Sequence, residues 1–333
     1  MRRFAILLSS IAFAAAISTA AVSFAMAAAP PTPGDHTESL EVGHGANRTA
    51  RTFLVHVPPG FDGKSNVPVV IMLHGAGGSG AGAMGQTGWG AKSDREGFIA
   101  VFPDGTPPNR TAPAQFMTNP RLWNDGSGRA IGVDHVDDLG FISAMIDFLE
   151  AHYDADPARI YCTGFSNGAS MTFSVGLNLA NRIAAIAPVS GHLWYSKKRL
   201  AYPVPLVFII GTQDPLNPID GGNVKLPWGK TENVPPIEDS LKEWERMLGC
   251  GPQVQTARGN GVLQITYDQC AKGGEVEYYR VRGLGHIWPG GTNGLPEKLV
   301  GKPSDSLNAT DVIWDFFKAH PRLPALKPIA KND

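Results

Sequence analysis

The strongest constraint on the fold is a series of short, almost wholly apolar runs spaced along the chain. Val67 to Leu73, Phe98 to Phe102, Arg159 to Thr163, Ile183 to Val189 and Leu206 to Ile210 are each five to seven residues long. Runs of this length and composition suit strands buried on both faces of a mainly parallel sheet. Two further strands are predicted at Arg51 to Val57 and Glu275 to Val281. Helical periodicity lies between them at Asp137 to Tyr153, Asn167 to Leu179 and Ile237 to Leu248, with a last helix at Asn308 to Ala319. The alternation predicts an α/β fold, a doubly wound sheet with helices on both faces, which binds ligands beyond the carboxyl ends of its strands. The stretches 104–133 and 214–235 lack periodicity and are expected to shape such a site.

Chemistry is therefore sought just after strands. Ile160-Tyr161-Cys162-Thr163-Gly164-Phe165-Ser166-Asn167-Gly168-Ala169 reads as a strand running through Gly-x-Ser-x-Gly into a helix, the turn that exposes a serine nucleophile. A nucleophile of this kind needs a base and a carboxylate to orient it, which in this topology follow in the order Ser, Asp or Glu, His. Asp214 follows the run ending at Ile210, and His286 follows the strand ending at Val281. Asp220 competes in the same loop but lies further from the strand end, and His192 competes as base but precedes the acid. The expected roles are Ser166 as nucleophile, His286 as general base and then acid, and Asp214 as the orienting carboxylate. The loop Leu73-His74-Gly75-Ala76-Gly77-Gly78 and the nucleophile turn supply oxyanion donors, assigned to the backbone N–H groups of Ala76 and Asn167. Trp288, two positions after the base, is the aromatic residue expected to bind substrate, ahead of Trp123, Trp194 and Trp228. Asp137 and Asp138 open a helix, where carboxylates favour the positive dipole end, so a structural role is expected for them.

A reading from another class rests on Gly75-Ala76-Gly77-Gly78-Ser79-Gly80, a GxGxxG after a strand, with Asp104 ending the next strand. It would make the chain an exported dinucleotide-binding oxidoreductase, but it leaves the later Ser, Asp and His without a role. No Gly-Lys-Ser or Gly-Lys-Thr follows, no grouping has metal-ligand spacing, and no cofactor is expected.

Met1-Arg2-Arg3, the apolar run Phe4 to Phe24 and the small residues around Ala25-Met26-Ala27 read as a signal peptide over residues 1–27, predicting a secreted protein without a stable membrane anchor. Residues 28–333 are expected to form one catalytic domain, with its core at about 48–320 and a tail beyond Pro321. A net charge of -1 with 18% charged residues gives no footprint for nucleic acid and favours a small, weakly charged substrate. Of the three cysteines, Cys162 sits in a predicted strand as a buried hydrophobe, leaving Cys250 and Cys270 to pair, or to remain two free thiols.

With these residues in hand, the chain resembles the α/β-hydrolases of the polyhydroxybutyrate depolymerase and feruloyl esterase group. Leu73-His74-Gly75, Val136-Asp137-Asp138-Leu139-Gly140-Phe141-Ile142, Thr163 to Ala169, Gly211-Thr212-Gln213-Asp214 and Gly285-His286-Ile287-Trp288-Pro289-Gly290 carry the resemblance, which runs from about Arg48 to His320. It implies ester hydrolysis through an acyl-enzyme at Ser166, Asp214 and His286, and it favours the Cys250–Cys270 pairing. Many relatives carry a cysteine where this chain has Ala76, so a disulfide made there is missing, and no adsorbing domain is visible. Soluble esters, either hydroxyalkanoate oligomers or aryl esters, are expected substrates ahead of crystalline polyester.

Overall fold

A computed structural model describes residues 30–43, 48–194, 199–226, 229–267, 269–271 and 273–323. The expected signal peptide, Trp228 and the tail beyond residue 323 lie outside them. The chain runs through β1 (Gly34–Val42), β2 (Thr49–Val57), β3 (Val67–Leu73), α1 (Gly80–Thr87), α2 (Trp89–Glu96), β4 (Ile99–Pro103), α3 (Asp138–His152), β5 (Ala155–Phe165) and α4 (Asn167–Asn178). It continues through β6 (Ala185–Val189), β7 (Leu206–Gly211), β8 (Gly222–Lys225), β9 (Thr231–Val234), α5 (Ile237–Leu248), β10 (Gln253–Gly259), β11 (Val262–Tyr267), β12 (Val276–Val281), α6 (Glu297–Val300) and α7 (Ala309–Ala319).

Among the described residues, ten strands form one sheet in the order β1-β2-β4-β3-β5-β6-β7-β12-β11-β10. The run from β4 to β12 is parallel throughout, and the flanking pairs are antiparallel. The apolar runs explain this arrangement, because alternate residues of one strand enter different cores. In β3, Val69, Ile71 and Leu73 pack with α3, α4 and α5, while Val70 and Met72 pack with α2 and α7. Every residue of β4, β6 and β7 is buried, as expected for strands covered on both faces.

The capping chemistry is local. Asp137 caps α3 by accepting the Gly140 N–H at 2.8 Å. Asp138 goes further than its helix position suggests: it is buried and accepts from Arg51 Nη2 at 2.7 Å and from the Asn124 N–H at 2.7 Å. The Arg51 guanidinium also lies 4.2 Å from the Phe141 ring centroid, so one ion pair ties β2, α3 and the 122–125 segment together. Cys250 and Cys270 form a disulfide, joining the end of α5 to the segment after β11. Burial pushes the free Cys162 thiol up to about 12, consistent with a buried hydrophobe. The 214–235 stretch contains the β8–β9 hairpin, which its lack of apolar alternation concealed. No helix of the described residues is long and apolar enough to cross a membrane.

Candidate active site

Ser166 joins β5 to α4 with φ 57° and ψ -119°, a strained backbone for a residue bearing a Cβ. Its surroundings hold it there: Ser166 N–H donates to Val189 O and Ser170 N–H donates to Ser166 O, both at 3.0 Å. The flanking glycines permit the crossing by close packing. A Cβ on Gly168 would lie 2.3 Å from Leu73 O, and one on Gly164 would lie 2.4 Å from Gly168 O.

His286 and Asp214 come together from the loops after β12 and β7. His286 Nδ1 bonds Asp214 Oδ2 at 2.8 Å, both groups being buried, and the Phe165 ring lies 4.7 Å from the imidazole centroid. The backbone N–H groups of Leu216 and Asn217 each donate to Asp214 Oδ1 at 2.8 Å. Burial alone would raise this carboxyl, but the charge and hydrogen bond of His286 and the two N–H groups hold it below the ordinary carboxylate value. Asp214 is therefore an ionised acceptor that fixes the His286 ring through Nδ1, leaving Nε2 for the cavity. His286 and Ser166 both line that cavity. Asp220 and His192 take no part in the pair, and burial lowers His192 to about 4.

The loop after β3 is set by His74. Its Nε2 accepts the Gly105 N–H at 2.9 Å, so Nδ1 carries the proton and donates to Gly75 O at 2.7 Å. Burial lowers this imidazole to about 4, and it is neutral at working pH. Trp123 Nε1 donates to His74 O at 2.9 Å, which makes Trp123 a prop beneath the loop and not a cavity residue. The N–H groups of Ala76 and Asn167, both in cavity-lining residues, bond no other described residue, and the latter opens α4 at its positive dipole end. The GxGxxG pattern has a packing explanation in the same place. A Cβ on Gly80 would lie 2.2 Å from Phe102 O, and Asp104 Oδ1 accepts the Gly80 N–H at 2.8 Å. The acid that would hold a ribose is thus bonded to the start of α1.

The cavity, about 400 Å³, is walled by the two stretches without periodicity. Phe116, Leu122, Asp125 and Arg129 come from the first, and Leu216, Asn217, Leu226 and Glu232 from the second. Arg129 Nε pairs with Glu232 across the two stretches, and Lys230 Nζ reaches the same carboxylate at 2.8 Å. Trp288 lines the cavity, its Nε1 donating to Thr310 Oγ1 at 3.1 Å. Trp194 stands behind the wall, with the Arg129 guanidinium 4.7 Å from its ring centroid. Sequence reasoning missed the Asn167 side chain. Its Nδ2 donates to Trp123 O at 3.1 Å and Asp125 Oδ2 at 2.9 Å, and its Oδ1 accepts the Trp123 N–H at 2.8 Å. No local pattern signals a partnership across more than forty residues. Burial raises the Asp125 carboxyl despite the bonds from Ser127 and Asn167.

Comparison with known proteins agrees with this architecture. Residues 62–225 match the phospholipase/carboxylesterase family model. Feruloyl esterase B of Piromyces equi is 32% identical over 244 residues, 71% of this chain and 42% of the relative. Poly(3-hydroxyalkanoate) depolymerase C of Paucimonas lemoignei is 31% identical over 136 residues, 41% of this chain and 30% of the relative. The chain thus spans less than half the length of either relative. The acetyl xylan esterase from Aspergillus awamori superposes with a TM-score of 0.52 at 16% identity, over 76% of this chain and 94% of that one, which speaks for the fold. The fold is that of the α/β-hydrolases, and the chain is similar in sequence to feruloyl esterases and poly(3-hydroxyalkanoate) depolymerases.

Proposed function

We propose that this chain is the catalytic domain of a secreted serine esterase, which hydrolyses small carboxylic esters through an acyl-enzyme. The observation that carries the reading is the strained Ser166 turn opening into the cavity that also receives His286, itself fixed through Nδ1 by the buried Asp214. In the first half-reaction Ser166 Oγ attacks the ester carbonyl while its proton passes to His286 Nε2. The carbonyl π pair moves to oxygen, and the N–H groups of Ala76 and Asn167 hold that oxyanion. Collapse of the intermediate breaks the acyl C–O bond, and the alcohol leaves with the proton from His286. Water, deprotonated by the same imidazole, then attacks the acyl-enzyme; the acid departs and the proton returns to Ser166. Asp214 stabilises the imidazolium in both halves without taking a proton.

The arrangement at Ala76 fits a backbone role, since a donor N–H is independent of the side chain. Ala76→Pro removes it and should slow the chemical step by roughly 100- to 1000-fold. Phe116, Phe165 and Trp288 in the cavity support a second acyl class, aryl acids such as ferulate, beside hydroxyalkanoate oligomers. The Cys250–Cys270 bridge agrees with the export signal read at residues 1–27.

The reading is tested by fluorophosphonate labelling and by turnover of soluble esters. Covalent labelling of folded protein that is lost in Ser166→Ala, together with loss of hydrolysis, is the expected result. Hydrolysis unchanged in that variant would overturn it. A panel of hydroxybutyrate oligomers, aryl-acid methyl esters and simple acyl esters, ranked by kcat/KM, separates the acyl classes. Soluble esters should be turned over well ahead of polymer film, and film clearing at comparable rates would remove that preference.

A further inference from the structure

One turn along α4 from Ser166, Ser170 lines the same cavity. It is only 5% exposed, so its hydrogen bonds are decided within the protein and the cavity. Its oxygen accepts twice, from the His192 backbone N–H at 3.1 Å and from Trp194 Nε1 at 3.2 Å. A serine hydroxyl has two lone pairs and one proton. Both lone pairs are engaged, and no described residue accepts the proton. The usual acceptor for a serine in a helix, the carbonyl four residues back, receives only the Ser170 backbone N–H. The two N–H donors leave one direction for the proton, at a residue that lines the cavity. Trp194 is itself held, with Arg129 over its ring and Arg129 paired to Glu232. The hydroxyl is therefore pre-oriented, and a substrate that gives it no acceptor leaves a buried donor unsatisfied.

Taking the esterase reading above as its basis, we propose that Ser170 is a specificity-determining residue that donates its hydroxyl proton to an oxygen of the substrate lying a few bonds from the scissile carbonyl. The Ser170 N–H to Ser166 O bond, at 3.0 Å, sets the two residues one helical turn, about 5 Å, apart along α4. With the carbonyl carbon at Ser166 Oγ and an acceptor about 3 Å from Ser170 Oγ, two to four bonds separate the two substrate atoms. Among the esters that meet this spacing are acyl groups oxygenated at the third carbon and alcohols that carry a second oxygen on the neighbouring carbon. The shared chemistry is a hydrogen-bond acceptor near the ester, in contrast to plain alkyl or unsubstituted aryl esters.

The test compares kcat/KM within two pairs: ethyl 3-hydroxybutyrate against ethyl butyrate, which lacks one oxygen, and 2-hydroxyethyl butyrate against propyl butyrate, in which a methyl replaces the hydroxyl. In the native protein one pair should show a preference of about 10-fold for the oxygenated ester, and that pair identifies the side on which the acceptor lies. Ser170→Ala should reduce that preference toward one, lowering the oxygenated ester about 10-fold more than its partner. Ser170→Thr, which keeps the hydroxyl, should restore it. A purely structural role would lower all four esters alike. Preferences near one in both pairs for the native protein, or a preference unchanged in Ser170→Ala, would overturn the proposal. Because the native ratios need no variant, the outcome stands even if Ser170→Ala does not fold. Loss of turnover for every ester in Ser166→Ala tests the esterase reading separately.

Discussion

Ser166 and Arg129 face the same cavity but are held there by different means. Ser166 is fixed by backbone: a strand end, a helix start, and two glycines so close to the carbonyl oxygens of Leu73 and Gly168 that no side chain fits between. Arg129 is fixed by side chains, through Glu232 and the Trp194 ring, from a segment without secondary structure. The carboxyl edge of the sheet, where the central strands end, therefore has one allowed arrangement, while the wall has a set of exchangeable contacts. Changes at the edge should stop turnover of every ester, and changes at the wall should alter which ester is preferred.

The contrast is sharpest for the carboxylate. Asp214→Asn keeps the shape of the loop but removes the charge that orients and stabilises His286, and kcat should fall by about 10,000-fold with every ester, read by steady-state kinetics. A loss that varied strongly between esters would break the distinction between edge and wall. Below this in size comes the packing of the turn. Gly168→Ala sets a Cβ against two carbonyl oxygens, 2.3 and 2.5 Å away, and should cost at least about 4 kcal/mol in urea unfolding.

The edge should also carry a pH signature. His74 is lowered to about 4, so between that value and its ordinary 6.5 the unfolded chain binds the extra proton and the native state does not. Stability should thus fall as pH drops from about 6.5 to 4 and level off below. The contribution of His74 is on the order of 3 kcal/mol, and His74→Gln should flatten the slope measured by denaturant titration. Asp214 is displaced in the same direction, below an acid's ordinary value, and acts at lower pH. Its depressed folded value adds stability that is present above the ordinary carboxylate value and disappears as pH falls through the folded one. The smallest effect belongs to the wall. Arg129→Ala removes a partly exposed ion pair and should change KM by about 5-fold, with kcat and stability little altered, since such pairs contribute at most about 1 kcal/mol.

The same contrast decides what could be read from the sequence. The central strands were legible because burial on both faces demands unbroken apolar runs, and the candidate site was legible because Ser166 and Asp214 follow such runs and His286 follows the mixed strand ending at Val281. β1 and β10 were not, since edge strands have few buried positions to mark them: every residue of β10 is exposed. Its hairpin did leave a signal in Asn260-Gly261, both residues at positive φ, the turn chemistry that joins β10 to β11. α1 was hidden by its glycines, which lower helix propensity but allow the close approach to Phe102. The wall contacts were invisible for another reason: Arg129 and Glu232 are 103 residues apart, and neither has a local pattern that names the other.

Asn167 belongs to both regions, and this limits how the site can be altered. Its backbone N–H opens toward the cavity, while its side chain grips Trp123 and Asp125 at the base of the first wall segment. A library that diversified this position would scramble the wall's anchorage and the geometry around the nucleophile in one step. Diversifying Phe116, Arg129 and Leu226 leaves that anchorage intact. Laboratory evolution of a new ester preference should therefore gather its changes at those outer positions and retain asparagine at 167.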